Sequence, residues 1–138
     1  MIDSRTGPYG VALLRGALGV MFLAHGLLKW LVFTLPGTAE FFASVGFPAW
    51  TAYPVTALEI VGGAALVLGI CARPLAAVLT LELLGAAQVH WANGWQFANK
   101  DGGWEYPVFL AVACAALALL GDGALTLKPS PALNPSAR

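Results

Sequence analysis

Three stretches of this chain are apolar and long enough to cross a lipid bilayer, and each carries ionisable residues within it. Arg15, His25 and Lys29 lie in the first, Glu59 in the second, and Glu82 and His90 in the third. A helix rising 1.5 Å per residue needs about 20 residues to traverse a hydrocarbon layer of roughly 30 Å. Inside that layer each backbone polar group has to be satisfied within the protein, which restricts such stretches to helices or a closed barrel. Ionisable side chains are costly there, face other protein, and mark function by default.

A water-soluble fold is excluded by composition: 59% of the 138 residues are hydrophobic and 10% are charged, against about 25% charged in an ordinary soluble domain. A core of this size cannot hide so much apolar surface. The formal net charge of zero offers no broad basic face for nucleic acid, so that class of partner is set aside.

The hydropathy pattern predicts an all-α fold, a transmembrane four-helix bundle with helices over about 10–33, 52–70, 74–91 and 106–120. The fourth span is short, which implies that it ends in the interface or that the bilayer thins around it. Residues 1–125 form the membrane domain in this reading. The Pro- and Ser-rich tail 126–138 is expected to be disordered. Arg15 interrupts the apolar run that a signal peptide would need, and no small-residue cleavage site follows, so the first segment reads as a retained helix. Arg5, Arg73, Lys128 and Arg138 lie at one set of span ends, and the positive-inside rule places both termini in the cytoplasm. All five tryptophans, Trp30, Trp50, Trp91, Trp95 and Trp104, fall toward the opposite side. A belt at both interfaces would be more even, so an ordered aromatic cap is expected there.

Helical spacing sorts the ionisable residues. Arg15, Leu18, Phe22, His25 and Lys29 recur at three and four, forming one stripe, and Glu82, Ala86 and His90 form another. Glu59 lies about 10 Å inside the outer end of its helix, near the depth of His25 and Glu82. The acids and bases of three helices therefore converge in the outer half, whereas Arg15 stands apart near the cytoplasmic end. Gly16, Gly19, Gly62, Gly63 and Gly69 permit close helix approach. Cys71 and Cys114 lie at depths too different for a disulfide, and no C-x-x-C is present.

The order and spacing of several short motifs resemble the DoxX family of small four-helix membrane proteins. They include Arg15-Gly16 with Gly19, Phe22-Leu23-Ala24-His25-Gly26 with Lys29, Phe41-Phe42-Ala43-Ser44-Val45-Gly46-Phe47-Pro48, and Glu59 with Gly62-Gly63. His90 with Gly94, Gly103-Trp104-Glu105-Tyr106-Pro107 and Gly121-Asp122-Gly123 continue the likeness. The resemblance implies a membrane redox protein or subunit, since DoxD-type relatives form the membrane part of thiosulfate:quinone oxidoreductase. It implies a cell (inner) membrane of a bacterium or archaeon. It also allows a redox partner subunit, or assembly with further copies of the chain.

A quinone-like molecule would need an apolar, aromatic-lined slot with proton donors near its carbonyls. His25, Glu59 and His90 are the candidate proton carriers. Lys29, Trp91, Glu105 and Tyr106 are the candidate substrate-binding residues, Lys29 by attracting an anion and the aromatic residues by stacking. Glu105 can alternatively serve the positive end of the fourth helix. Arg15 and Glu82 are read as structural polar residues. Two histidines can ligate a haem, but no further ligand pattern accompanies His25 and His90; a metal held by His25, Glu59 and His90 is geometrically conceivable, and no haem, flavin or metal enters the prediction. A membrane anchor for redox-defence enzymes, or a small-solute transporter, is the alternative function class.

Overall fold

The computed structural model describes residues 3–131. Helix α1 (Gly7–Leu27) runs without a break into a π-helical turn over Leu28–Val32. Helix α2 (Leu35–Ser44) follows, and a 3-10 turn at Ala49–Thr51 leads into α3 (Ala52–Leu68). Helix α4 (Ala72–His90) ends in a second 3-10 turn, Trp91–Asn93, and α5 (Glu105–Leu120) completes the helical part. The described residues thus form an all-α structure with five α-helices and no strands, apart from an isolated bridge between Ile70 and Lys128.

Three helical runs, Gly7–Val32, Ala49–Leu68 and Ala72–Asn93, are long and apolar enough to cross a membrane. Their outward faces are apolar too: Leu13, Val61 and Leu81 are each at least 69% exposed. Exposure of this kind suits lipid rather than water. Helix α5 has 16 residues, about 24 Å at the standard rise, and Phe109, Val112 and Leu119 point outward from it.

The helices associate chiefly as two pairs, α1 with α3 and α4 with α5. Glycine sets the first pairing. A Cβ on Gly63 would stand 2.6 Å from the Leu23 amide nitrogen and 2.8 Å from the Gly19 carbonyl, and one on Gly19 would stand 2.7 Å from the Gly63 carbonyl. The two backbones touch where only hydrogen atoms fit, which is how dispersion holds helices together in lipid. Phe22, Leu66, Leu79, Cys114 and Leu117 fill the space between the pairs. Gly16 has open space around it, and Gly62 makes ordinary side-chain contacts, so neither sets a close approach. Cys71 and Cys114 are both free thiols.

Two segments differ from the sequence reading. The connection 34–51, expected as a loop, contains α2. Thr34 starts it, its hydroxyl accepting from the Gly37 amide at 3.2 Å, and Pro36 occupies the first turn, where its missing N–H costs nothing. The tail is the second. Residues 126–131 are held against the body instead of running free, while 132–138 lie outside the described residues.

The tail is ordered against the turn between α3 and α4, where α4 starts without a side-chain cap of its own. Cys71, in the αL region at φ 47°, offers no side-chain cap to α4. Asp122 Oδ1 accepts from the Ala72 amide (3.0 Å) and Ser130 Oγ from the Arg73 amide (3.0 Å), while the Ser130 hydroxyl and amide both donate to Asp122. On the other side of the turn, the Leu127 and Lys128 amides donate to the Leu68 and Gly69 carbonyls at the end of α3. Arg15, buried on α1, donates through Nη2 to the carbonyls of Ala124 and Leu125, both at 3.0 Å. A composition that looked unable to pack is ordered because its backbone satisfies polar groups stranded near the membrane.

Gly63→Ala is expected to lower stability by about 1–3 kcal/mol, the usual range for overpacking, measured by chemical unfolding in detergent micelles. A Gly62→Ala control should change it far less. Partial burial raises the Asp122 carboxyl, but its hydrogen bonds from Ser130 and Ala72, with Arg73 nearby, prevail and hold it below its usual value of 3.8. The clamp is thus at full strength above about pH 3.8 and weakens as pH falls through the lower folded value. In Asp122→Asn this low-pH component of a pH-dependent thermal melt should disappear.

Candidate functional site

A cavity of about 630 Å³ lies in the half of the molecule nearer the tryptophan-rich loop. Helix α1 contributes Phe22, His25 and, from its π turn, Lys29 to the wall; α3 contributes Leu58 and Glu59; α4 contributes Glu82, Gly85, Ala86 and His90. Tyr106 and Pro107 close it from α5. The stripe at three- and four-residue spacing on α1 does face inward, since Leu18 and Phe22 are buried and His25 and Lys29 reach the cavity. Helical periodicity thus brings His25, Lys29, Glu59, Glu82, His90 and Tyr106 to the wall of one partly open space.

The polar centre of this wall is an ion pair. Lys29 Nζ stands 2.7 Å from both Glu59 Oε1 and Oε2, and the Glu59 side chain is 4% exposed. Gly26 makes this possible. A Cβ there would meet Ile60 Cγ1 at 2.6 Å and Glu59 Cβ at 3.0 Å, so α1 can lie against α3 at the height of the pair. The π turn that begins one residue before Lys29 is closed by the Phe33 amide donating to the Leu28 carbonyl. The Thr38 hydroxyl of α2 lies 2.9 Å from the Thr34 carbonyl and 3.2 Å from the Lys29 carbonyl, so its single proton is shared between its own helix and the point where the α-helical ladder of α1 has been interrupted. Lys29 is therefore turned inward and committed to a carboxylate, and its ammonium does not stand free at the mouth for an anion.

Both histidines are oriented by backbone. His25 Nδ1 lies 2.8 Å from the Met21 carbonyl and His90 Nδ1 lies 3.0 Å from the Asp101 carbonyl. A neutral ring in that arrangement donates from Nδ1 and leaves the Nε2 lone pair to accept a proton. Glu82 is different. Its Oε2 is closed off from solvent and has no hydrogen-bond partner among the described residues. Arg15 sits at the opposite end, against the tail and Gly69, and takes no part in the cavity.

The remaining candidates divide. Tyr106 lines the cavity and also a second, more open groove of about 770 Å³ that it shares with His25, Trp95, Phe97, Glu105 and Phe109. Glu105, in the first turn of α5, accepts from the Phe97 amide at 2.8 Å and so secures the loop beside the groove. Trp91 lines neither space. It stacks on Trp104 with centroids 4.6 Å apart and planes 19° from parallel, and Trp95 meets Trp104 edge-on. These three tryptophans form an aromatic cluster whose members Trp91 and Trp95 are exposed, as are Trp30 and Trp50.

Sequence reasoning missed the wall that α2 supplies. Phe41, Phe42 and Val45, with Phe47 beyond the helix end, line the cavity, and Phe42 packs on Phe47 with centroids 6.2 Å apart. The signal was present in Thr34 followed by Pro36 and then Thr38, Phe41, Phe42 and Val45 at three- and four-residue spacing. Among the described residues no group of three or more His, Cys, Asp or Glu side chains is arranged to hold a metal ion.

Long lipid-facing helices around an apolar cavity with a buried ion pair in its wall define an integral membrane protein with an internal site. The chain belongs to the DoxX family, whose model matches residues 10–92. It is similar to a protein of Bacillus subtilis (strain 168) named "Putative oxidoreductase CatD", with 33% identity over 120 residues covering 87% of this chain and 85% of that one. No solved structure gives a significant match.

Removing one member of the ion pair strands the other. Lys29→Met and Glu59→Leu are each expected to cost about 3–5 kcal/mol, with most of the loss recovered in the double variant, which leaves no unpaired charge. Unfolding of the three variants in detergent, analysed as a double-mutant cycle, measures this directly.

Proposed function

We propose that this protein binds a quinone-like molecule in the 630 Å³ cavity and acts as a membrane redox protein or as the membrane subunit of one. The observation that carries this reading is the character of the cavity wall: phenylalanine and aliphatic side chains over most of it, with groups that exchange protons at its few polar points. Its volume falls within the roughly 300–1,000 Å³ typical of small-molecule sites. The name of the Bacillus relative, which describes an oxidoreductase, supports the same class.

Reduction of a quinone to a quinol takes two electrons and two protons. His25 and His90, each with Nε2 left open by its backbone bond, and Glu59, linked to Lys29, are suited to hold and pass those protons. Phe41, Phe42 and Tyr106 offer ring faces and edges to a planar ligand. The electrons come from a reductant outside this chain or from a partner subunit, because Cys71 and Cys114 lie on separate elements as free thiols. We further take α1, α3, α4 and α5 to be a transmembrane four-helix bundle, with the end carrying Arg5, Arg73 and Lys128 in the cytoplasm and the cavity in the outer half of a bacterial or archaeal cell membrane. A solely anchoring role would give a cavity with proton-exchanging groups in its wall no use.

Gentle solubilisation followed by lipid extraction and mass spectrometry should recover quinone with the protein in near-stoichiometric amount. Gly85 provides the control. A Cβ there meets only Phe47 Cζ, at 3.9 Å, so a side chain can grow into the cavity without striking backbone. Gly85→Phe should lose the quinone while keeping its thermal midpoint. Equal quinone content in both proteins would sink the reading.

A further inference from the structure

The polar groups of the cavity are nearly all spent on the protein itself. Lys29 and both oxygens of Glu59 satisfy each other. His25 and His90 have each used Nδ1 on a carbonyl, which leaves an acceptor and no donor on the neutral ring. The Thr51 hydroxyl donates to the Pro48 carbonyl at 2.7 Å. The exceptions are the Tyr106 hydroxyl, on an exposed residue at the rim, and Glu82, which lines the cavity more deeply and has an oxygen closed off from solvent and without a partner among the described residues.

Burying a polar group without a hydrogen bond is unfavourable, and burying a lone carboxylate is far more so. The cation nearest in role, Lys29, is already matched by Glu59. We propose that Glu82, carrying its proton, is the hydrogen-bond donor that recognises a carbonyl oxygen of the molecule in the cavity. This rests on the quinone reading above and narrows it. With Lys29 matched by Glu59, the wall offers no unpaired lysine or arginine to an anion, which favours an uncharged, carbonyl-bearing ring as the ligand. Glu82 is thus a ligand-binding residue and not a structural one.

A structural acid and a ligand-facing acid behave oppositely on removal. Loss of a structural partner lowers stability, whereas replacing an unpartnered buried acid by an apolar residue leaves stability unchanged or raises it. The test uses the full chain in lipid nanodiscs, with binding of decylubiquinone and of decylbenzene, which has no carbonyl, followed by tryptophan fluorescence. Glu82→Leu should weaken decylubiquinone binding about tenfold, the equivalent of one lost hydrogen bond of about 1.4 kcal/mol, with decylbenzene affinity and wild-type thermal stability retained. Glu82→Gln, which keeps an N–H donor, should retain most of the decylubiquinone affinity. An infrared difference spectrum should show a carboxylic acid C=O band that shifts on decylubiquinone binding and is missing from Glu82→Gln.

If decylubiquinone binds wild type and Glu82→Leu equally while Gly85→Phe abolishes binding, the cavity reading stands and the role of Glu82 is overturned. If Glu82→Leu loses stability and affinity for both probes alike, Glu82 is structural and the inference is also overturned. Failure of wild type to bind decylubiquinone, or binding indifferent to Gly85→Phe, overturns the quinone reading and this inference with it.

Discussion

The contact between Lys29 and Glu59 organises the site end of this protein. An ion pair in apolar surroundings is not a cheap source of stability, because desolvating both charges offsets most of their attraction. It does impose a strict geometry. Lys29 can meet both oxygens of Glu59 only if α1 lies against α3, which Gly26 allows. The α-helical ladder loosens into a π turn at that point, and the Thr38 hydroxyl of α2 lies within reach of the Lys29 carbonyl as well as that of Thr34. One pair thus couples three helices and shapes a wall of the cavity. Misplacing either partner would leave a charge alone in a medium that tolerates it poorly.

The two ends of the molecule solve different problems of the membrane setting. At the end where the described chain begins and finishes, the problem is helix termini with unsatisfied amides and carbonyls. Asp122, Ser130 and the Leu127–Lys128 backbone meet those groups at the turn from α3 to α4, and Arg15 ties the same segment to α1. At the tryptophan-rich end the polar residues are instead gathered around a space. The stacked Trp91 and Trp104, the edge-on Trp95, and the bond from the Phe97 amide to Glu105 order the loop beside it. Rigidity at one end and a cavity at the other are compatible because the close α1–α3 seam at Gly19 and Gly63 holds the helices between them.

Much of this was legible in the chain because lipid is a demanding solvent. The helical spans follow from apolar runs of sufficient length. The inward stripe from Arg15 to Lys29 follows from helical periodicity together with the cost of turning charge toward lipid. The gathering of His25, Glu59, Glu82 and His90 could be anticipated from their depth along each span. Helix α2 was harder to see because its ten residues are too few to span, so hydropathy passed over it although its capping and spacing were helical. The ordered part of the tail was illegible for another reason. Its Pro- and Ser-rich sequence has little to bury, and what holds it is a set of hydrogen bonds, from its backbone and from Ser130, to Asp122 and to helix ends remote in sequence.

The sequence by itself determined that this is an all-α membrane protein with ionisable residues inside its spans, because periodicity and hydropathy are local properties, and its short motifs carried the likeness to the DoxX family. Only the tertiary structure decided how those residues are partnered. Lys29 could have snorkelled, paired with Glu82 or bound an anion, and it is joined to Glu59 because Gly26 lets those two helices meet at that height. Glu82 is left without a partner by the same choice. Pairing depends on the relative rotation and closeness of helices, which arise from contacts between residues far apart in the chain, and no local pattern encodes them.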